Sequence, residues 1–346
     1  MARTRSTEKA EEQEELFPHP RRITALEGHE AARRMMAEGL ARGALHHAWL
    51  ITGSRGVGKA SLAYLFAKYM LGEETLSFES FSVPGTPFPA HRKVAEGFHP
   101  DLLVIEAGVS EGKKTRDINV DDVRRVKDFL ALTPAEGTWR IVLVDSADDM
   151  NMNAANALLK LLEEPPANAL MLLVSHRPGA LLPTIRSRCR VLHLHPLGPE
   201  QTRSVVSRYV PEAVASLMGL AKGAPGLALW LHGVNWQAMY KAVLDALAGG
   251  GTAPLASLAA EKDRPEAWEA LNFLLSTALA RAASGASGVA VMEELIPGER
   301  AVLQKLAGKG ALSLVELREN LLQKLFEAQR FHLDKKLALT AAFSEI

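Results

Sequence analysis

The chain has 346 residues, which is enough for two or three domains, and its 40 Lys and Arg residues balance its 40 Asp and Glu residues. The zero net charge excludes the strong overall positive field by which many proteins are drawn onto nucleic acid. The single cysteine, Cys189, excludes a disulfide framework and a cysteine-rich zinc site and fits the reducing cytoplasm, while no run of 18 apolar residues is present to span a membrane.

The chain begins with a charged segment. Residues 1–16 lack the apolar stretch of a secretory signal, so they are predicted to form a disordered tail. Apolar and charged positions then alternate with helical period over 30–42, between Gly28 and Gly43. This pattern predicts a helix that leads into the first strand.

A glycine-rich stretch, GSRGVGKA at 53–60, organises the first half of the chain. It follows the apolar run 46–52, which suits a buried strand, and it precedes an apolar helix at 61–71. A strand, a glycine loop, a lysine and a helix together form the context of a phosphate-binding loop.

The loop has the parts that hold a phosphate but lacks a metal ligand. Glycines let several backbone N–H groups turn toward one anion, and Lys59 adds its charge to the positive end of the helix. The Ser or Thr that normally holds Mg²⁺ is replaced by Ala60, and Ser61 lies about 100° further around the helix. The predicted nucleotide-binding residues of this stretch are Gly53, Gly56, Gly58, Lys59, Ala60 and Ser61.

Further apolar runs predict a parallel sheet. Strands that alternate with helices form βαβ units, and ligands of such sheets bind at the carboxyl ends of the strands. Residues 72–98 contain several Pro and Gly residues and are predicted to be an irregular surface excursion. The remaining predicted strands are 101–105, 139–145, 169–175 and 190–194, and the predicted helices between them are 119–132, 153–164 and 181–186.

Asp145 ends the most apolar predicted strand, where phosphate-loop proteins place the carboxylate that holds Mg²⁺. The next residue, which polarises the attacking water when it is Glu, is Ser146 here. Loss of this carboxylate and of the hydroxyl at position 60 removes two contributions to catalysis, each typically worth about a hundredfold in rate. Weak binding of ATP or ADP is compatible with these losses, but turnover is not expected.

Three arginines follow the strand that ends at Ser175. They lie within PTIRSRCR at 183–190, on a turn that begins with proline. A guanidinium on such a turn can reach a phosphate in a neighbouring subunit, as an arginine finger does. The alternative is an ordinary solvated or helix-capping arginine.

Strand signals stop after residue 196. Helices are predicted at 200–209 and 212–222, and from 236 the chain is Ala- and Leu-rich and almost entirely helical. The sequence therefore predicts an α/β domain at 17–196, a small helical domain at 197–235 and a helical C-terminal domain at 236–346.

Several motifs together resemble the clamp-loader branch of the AAA+ proteins. The resemblance is dense from 26 to 196 and resumes at FHLDKK, residues 331–336. The motifs that carry it are LHHAWL at 45–50, GVGKA at 56–60, NALLKLLEEPP at 156–166 and SRC at 187–189.

The resemblance implies roles for individual residues. Arg188, in the SRC motif, would be a finger that reaches the ATP site of a neighbouring motor subunit, and Ser175 would occupy the first sensor position. Gly226 or Leu227 would occupy the second sensor position, where active motors carry Arg. Residues 72–100 contain no Cys, so the zinc module of many relatives is not expected.

As a whole, the resemblance implies an AAA+ domain, a helical lid and a C-terminal collar in a clamp-loader subunit that does not hydrolyse ATP. The expected partners are gamma/tau-like ATPase subunits, the delta subunit, the sliding clamp indirectly and primer-template DNA through the complex, without a membrane. One alternative is an active AAA+ ATPase, a clamp-loader motor or a junction helicase, that uses Ser61 and Asp148 as substitutes. Another is a nucleotide-binding adaptor outside replication.

Overall fold

The computed structural model describes residues 18–72, 89–108, 117–259, 266–289, 293–331 and 333–344, so the predicted tail 1–16 lies outside the described residues. The chain divides into two units. One is formed by Glu14–Tyr209 with Ala221–Leu227, and the other includes Val210–Leu220 and Ala228–Ile346.

A parallel sheet of five strands forms the centre of the first unit, in the order β2-β3-β4-β1-β5. The residues of β1 and β4 are buried throughout, as expected of a sheet that is covered on both faces. This arrangement confirms the predicted α/β fold. The strands are β1 (Ala48–Thr52), β2 (Leu102–Glu106), β3 (Arg140–Asp145), β4 (Ala169–Ser175) and β5 (Arg190–His193).

Helices cover both faces of this sheet. Successive strand residues point to opposite faces, so Trp49 packs in one core, which includes Leu62, while Leu50 packs in the other, which includes Leu158. The helices are α1 (Glu30–Ala41), α2 (Lys59–Leu71), α3 (Pro89–Glu96), α4 (Val120–Ala131), α5 (Met152–Glu163), α6 (Pro183–Arg186) and α7 (Pro199–Tyr209).

Helix α3 corrects one prediction. Residues 72–98 are not irregular throughout, because Pro89–Glu96 is helical and buries His91 and Val94. Proline at the first helical position lacks only an N–H group that would have no partner within the helix, so Pro89 begins the helix rather than breaking it.

The helical C-terminal portion agrees with the predicted fold class. Its core includes the buried indoles of Trp236 and Trp268. The predicted domain borders at 196 and 235 stay predictions, and α7 belongs to the unit that holds the sheet. The remaining helices are α8 (Val214–Ala221), α9 (Pro225–Gly233), α10 (Trp236–Leu247), α11 (Ala253–Ala259), α12 (Glu266–Ala286), α13 (Glu299–Ala307), α14 (Ala311–Arg330) and α15 (Lys335–Phe343).

No single helix among the described residues has the length and apolar character that a membrane span requires. By length and composition alone, one bent pair of helices, 211–221 with 225–233, meets the requirement together.

Candidate functional site

The glycine-rich loop joins β1 to α2, as predicted. Gly53, Gly56 and Gly58 have φ values of 142°, 76° and 110°, and Gly58 is the N-cap of α2. Glycine adopts such backbone angles without the penalty that a Cβ atom brings. The three glycines therefore allow the backbone to curl between Thr52 and Lys59.

Lys59 lies within the loop and is only 3% exposed. Its Nζ donates to the carbonyl oxygen of Gly53 at 2.9 Å and to that of Ser54 at 2.7 Å. Burial lowers the pKa of Lys59 to about 8, although Asp145 and Asp148 favour its charged form. At neutral pH the loop thus holds a cation that is poorly solvated.

Residues 226 and 227 approach the same loop. The backbone N–H of Gly226 donates to the carbonyl of Gly56 at 2.8 Å, and a Cβ atom on Gly56 would lie 2.0 Å from the nitrogen of Leu227. The resemblance assigned the second sensor to Gly226 or Leu227. The structure places both residues against the loop, where neither has a cationic side chain.

On the metal-binding side of the loop, Ala60 has no side-chain oxygen to offer a cation, and Ser61 is a buried helical residue. Asp145 lies at the end of β3, paired in register with Glu106 at the end of β2. Burial and, to a lesser extent, the charge of Glu106 raise the pKa of Asp145 to about 6, while Lys59 opposes the shift. The residues present fit a phosphate group better than a complete Mg·ATP site.

Ser175 and Asp148 form a contact across the carboxyl ends of β4 and β3. The Ser175 hydroxyl donates to Oδ1 of Asp148 at 2.7 Å, and the backbone N–H groups of His176 and Arg177 donate to Oδ2. The neighbouring Asp149 accepts the hydroxyl of Ser146 at 3.1 Å. Asp148 therefore anchors the segment that follows β4, including the predicted first sensor residue.

Sequence reasoning missed Glu106. Its carboxylate accepts the hydroxyl of Tyr64 at 3.1 Å and lies opposite Asp145. The position of Glu106 could have indicated it. Glu106 directly follows the predicted strand 101–105, and Asp145 is the last residue of the next predicted strand, so both carboxylates lie at strand ends.

Arg188 follows α6 and is bound to its own chain. Its Nη2 lies 2.7 Å from Oε1 of Glu163, and its Nη1 donates to the carbonyl of Thr184 at 3.0 Å and to the hydroxyl of Ser187 at 3.4 Å. Its side chain is 35% exposed. The side chain of the predicted finger is thus partly accessible to solvent.

Among the described residues, no group of three or more His, Cys, Asp or Glu side chains could hold a metal ion. Residues 73–88, which make up much of the segment where a zinc module was considered, lie outside the described residues. The expected lack of zinc therefore stays a prediction.

Comparison with known proteins identifies relatives among the subunits of DNA polymerase III. The DNA polymerase III subunit delta' of Pseudomonas aeruginosa is 38% identical over 192 residues, which are 54% of this chain and 56% of that protein. The subunit tau of Escherichia coli is 33% identical over 212 residues, which are 60% of this chain and 31% of tau. The matched region thus spans less than two thirds of each relative.

Among solved structures, the chain is similar to the DNA polymerase III gamma subunit-related protein of Thermotoga maritima. It is 21% identical, with a TM-score of 0.44, over 89% of this chain and 97% of that one. Residues 28–198 match the model of the family described as DNA polymerase III, delta subunit. Through these residues, just under half of the chain, the protein is similar to that family.

Proposed function

We propose that the chain is a subunit of a DNA polymerase III clamp loader that does not hydrolyse ATP and that presents Arg188 to ATP bound by a neighbouring subunit. The match of residues 28–198 to the family model and the relatives named delta' and tau support the first part. The loop without a hydroxyl at Ala60 and the strand end without a carboxylate at Ser146 support the second part.

The observation that carries the proposal is that both carboxylate oxygens of Asp148 already accept hydrogen bonds within the chain. An active ATPase of this sequence would need Asp148 as the base, yet its carboxylate accepts hydrogen bonds from Ser175 and from the backbone of His176 and Arg177. A carboxylate held in this way is stabilised as an acceptor and is poorly placed to orient an attacking water.

The chain's own loop keeps a binding role in this proposal. The backbone N–H groups and Lys59 bind the phosphates of ATP or ADP weakly, without a requirement for nucleotide or zinc. A bound Mg²⁺ would supply charge neutralisation in an active site, but Ala60 offers it no side-chain oxygen.

The proposed partners are those of a clamp-loader subunit. They are gamma/tau-like ATPase subunits, the delta subunit, the sliding clamp indirectly and primer-template DNA through the complex, all in the cytoplasm. Residues 197–235 serve as the lid and 236–346 as the collar in this proposal.

The first test replaces Arg188 in the reconstituted clamp loader. Arg188→Ala is expected to lower ATP hydrolysis stimulated by DNA and clamp by about tenfold or more, since an arginine finger stabilises charge that develops in the transition state. Arg186→Ala, on the same turn, is the matched control and should change the rate by less than about twofold. Unchanged hydrolysis in the Arg188 variant would remove the finger role.

The second test measures ATP turnover by the purified chain alone. No turnover above that of Lys59→Ala is expected, because two contributions to phosphoryl transfer are missing. Turnover of about one per second or faster that disappears in the Lys59 variant would instead establish an active ATPase.

A further inference from the structure

Three of the sequence motifs meet at the C-terminal end of α5. His47, from LHHAWL, places Nε2 3.1 Å from the carbonyl oxygen of Leu162 in the last turn of α5. The next residue, Glu163, forms the ion pair with Arg188 of the SRC motif at 2.7 Å. Residues from three distant parts of the chain thus meet at the last turn of α5, where Glu163 pairs with Arg188.

The end of α5 is well defined in position. Pro165 prevents the helix from continuing, because the residue before proline avoids helical angles and proline has no N–H group to donate. The carbonyl of Leu162 has no hydrogen-bond partner within the helix, and it accepts a hydrogen bond from the ring of His47 instead. Pro165 and His47 therefore fix the position of the helix end at which Glu163 lies.

The contacts of Arg188 define the orientation of its guanidinium plane. Nη2 is bound to Glu163, and Nη1 is bound to the carbonyl of Thr184 and the hydroxyl of Ser187. Within the part of the chain that the structure describes, Nε has no hydrogen-bond partner, so its N–H group is left to donate to an incoming phosphate.

We propose that Glu163 is a positioning residue for Arg188. The inference rests on the proposed function, in which Arg188 contacts ATP held by a neighbouring subunit. A long arginine side chain loses conformational entropy when it is ordered, and the pair with Glu163 orders it before the neighbour binds. The contribution is modest because both side chains are partly exposed, at 35% and 48%.

The test uses the reconstituted clamp loader with Glu163→Gln. Loss of the charge is expected to lower the kcat of ATP hydrolysis stimulated by DNA and clamp by about threefold to fivefold, with KM for ATP unchanged, since Glu163 does not touch the nucleotide. Glu164→Gln, which removes the same charge one residue later, is the matched control and should leave kcat within about twofold. Glu163→Asp, which keeps the charge, should recover part of the loss.

A double variant separates positioning from a structural effect. Glu163→Gln is expected to cause no further loss of kcat when Arg188 is already Ala, because the two residues act as one unit. An equal loss in both backgrounds, or a rise in kcat in the single variant, would overturn the inference. If Arg188→Ala itself has no effect, the proposed function fails instead, so the two failures are distinguishable.

Discussion

Lys59 and Asp145 show how burial acts on single residues in this site. Burial lowers the pKa of Lys59 to about 8 and raises that of Asp145 to about 6, so each group shifts toward its neutral form while the opposite charge nearby resists the shift. Both groups remain largely charged at pH 7, with little water around them. Such poorly solvated charges lower the stability of the free chain. A bound phosphate would compensate the charge of Lys59, and a bound cation that of Asp145.

Asp145→Asn is expected to stabilise the chain at neutral pH by about 3 kcal/mol, because the pKa rises from 3.8 to about 6 and one pKa unit corresponds to about 1.4 kcal/mol. Below its ordinary pKa of 3.8 the carboxyl group is protonated in both the folded and the unfolded chain. As the pH rises toward about 6, the unfolded chain loses this proton first, so the wild type loses stability relative to the variant. Above pH 6 the difference should stay constant.

Denaturant unfolding of both proteins between pH 4 and pH 8 measures this difference. The matched control is Asp128→Asn, which removes an exposed carboxylate on α4 and should change stability by less than about 0.5 kcal/mol at every pH. A stability gap for Asp145→Asn that does not depend on pH would contradict the expectation.

At the scale of elements, the glycine loop depends on a close backbone approach. Gly56→Ala places a Cβ atom 2.0 Å from the nitrogen of Leu227 at a φ of 76°. Gly43→Ala brings a similar φ of 63° but meets no atom within 4 Å. We expect Gly43→Ala to lower the free energy of unfolding by about 1 kcal/mol, and Gly56→Ala by at least about 2 kcal/mol more.

Chemical denaturation of the two glycine variants separates backbone strain from steric overlap. Equal losses of stability would show that residues 226 and 227 move aside easily. In that case the contact between Gly56 and Gly226 contributes little to holding the loop.

The elements that the sequence predicted are those with local signals. The strands β3 and β4 have six and seven residues with apolar interiors, and α4 begins at Val120 directly after Asn119, whose side chain caps the helix. Helix α3 was missed because Pro89 serves both as a breaker and as a first helical residue.

The contacts within the site could not be predicted in this way. Ser175 reaches Asp148 across 27 positions, and Glu163 reaches Arg188 across two elements of the chain. Such pairs depend on strand order and helix packing, which the spacing of residues along the chain does not encode. The resemblance assigned Arg188 and Ser175 their roles without indicating which side chains hold them.

At the scale of the whole molecule, the helical unit contains a polar network that composition concealed. The sequence from residue 236 onward predicts Ala- and Leu-rich helices, yet Glu299 is fully buried among them. Its carboxylate accepts from the hydroxyl of Tyr240 at 2.6 Å, from Nε of Arg281 at 2.7 Å and from the backbone of Leu295 at 2.6 Å. One side chain thus joins α10, α12 and α13.

Glu299→Gln is expected to lower the free energy of unfolding of this unit by about 3 kcal/mol, since removal of one partner leaves the other charge buried without compensation. Glu294→Gln, at an exposed neighbouring position, is the control and should cost less than about 0.5 kcal/mol. Hydrogen exchange measures where the loss occurs, and protection should fall together in α10, α12 and α13 because all three contact the same carboxylate. A loss confined to α13 would mean that Glu299 stabilises only its own helix, and that apolar packing alone holds the three helices together.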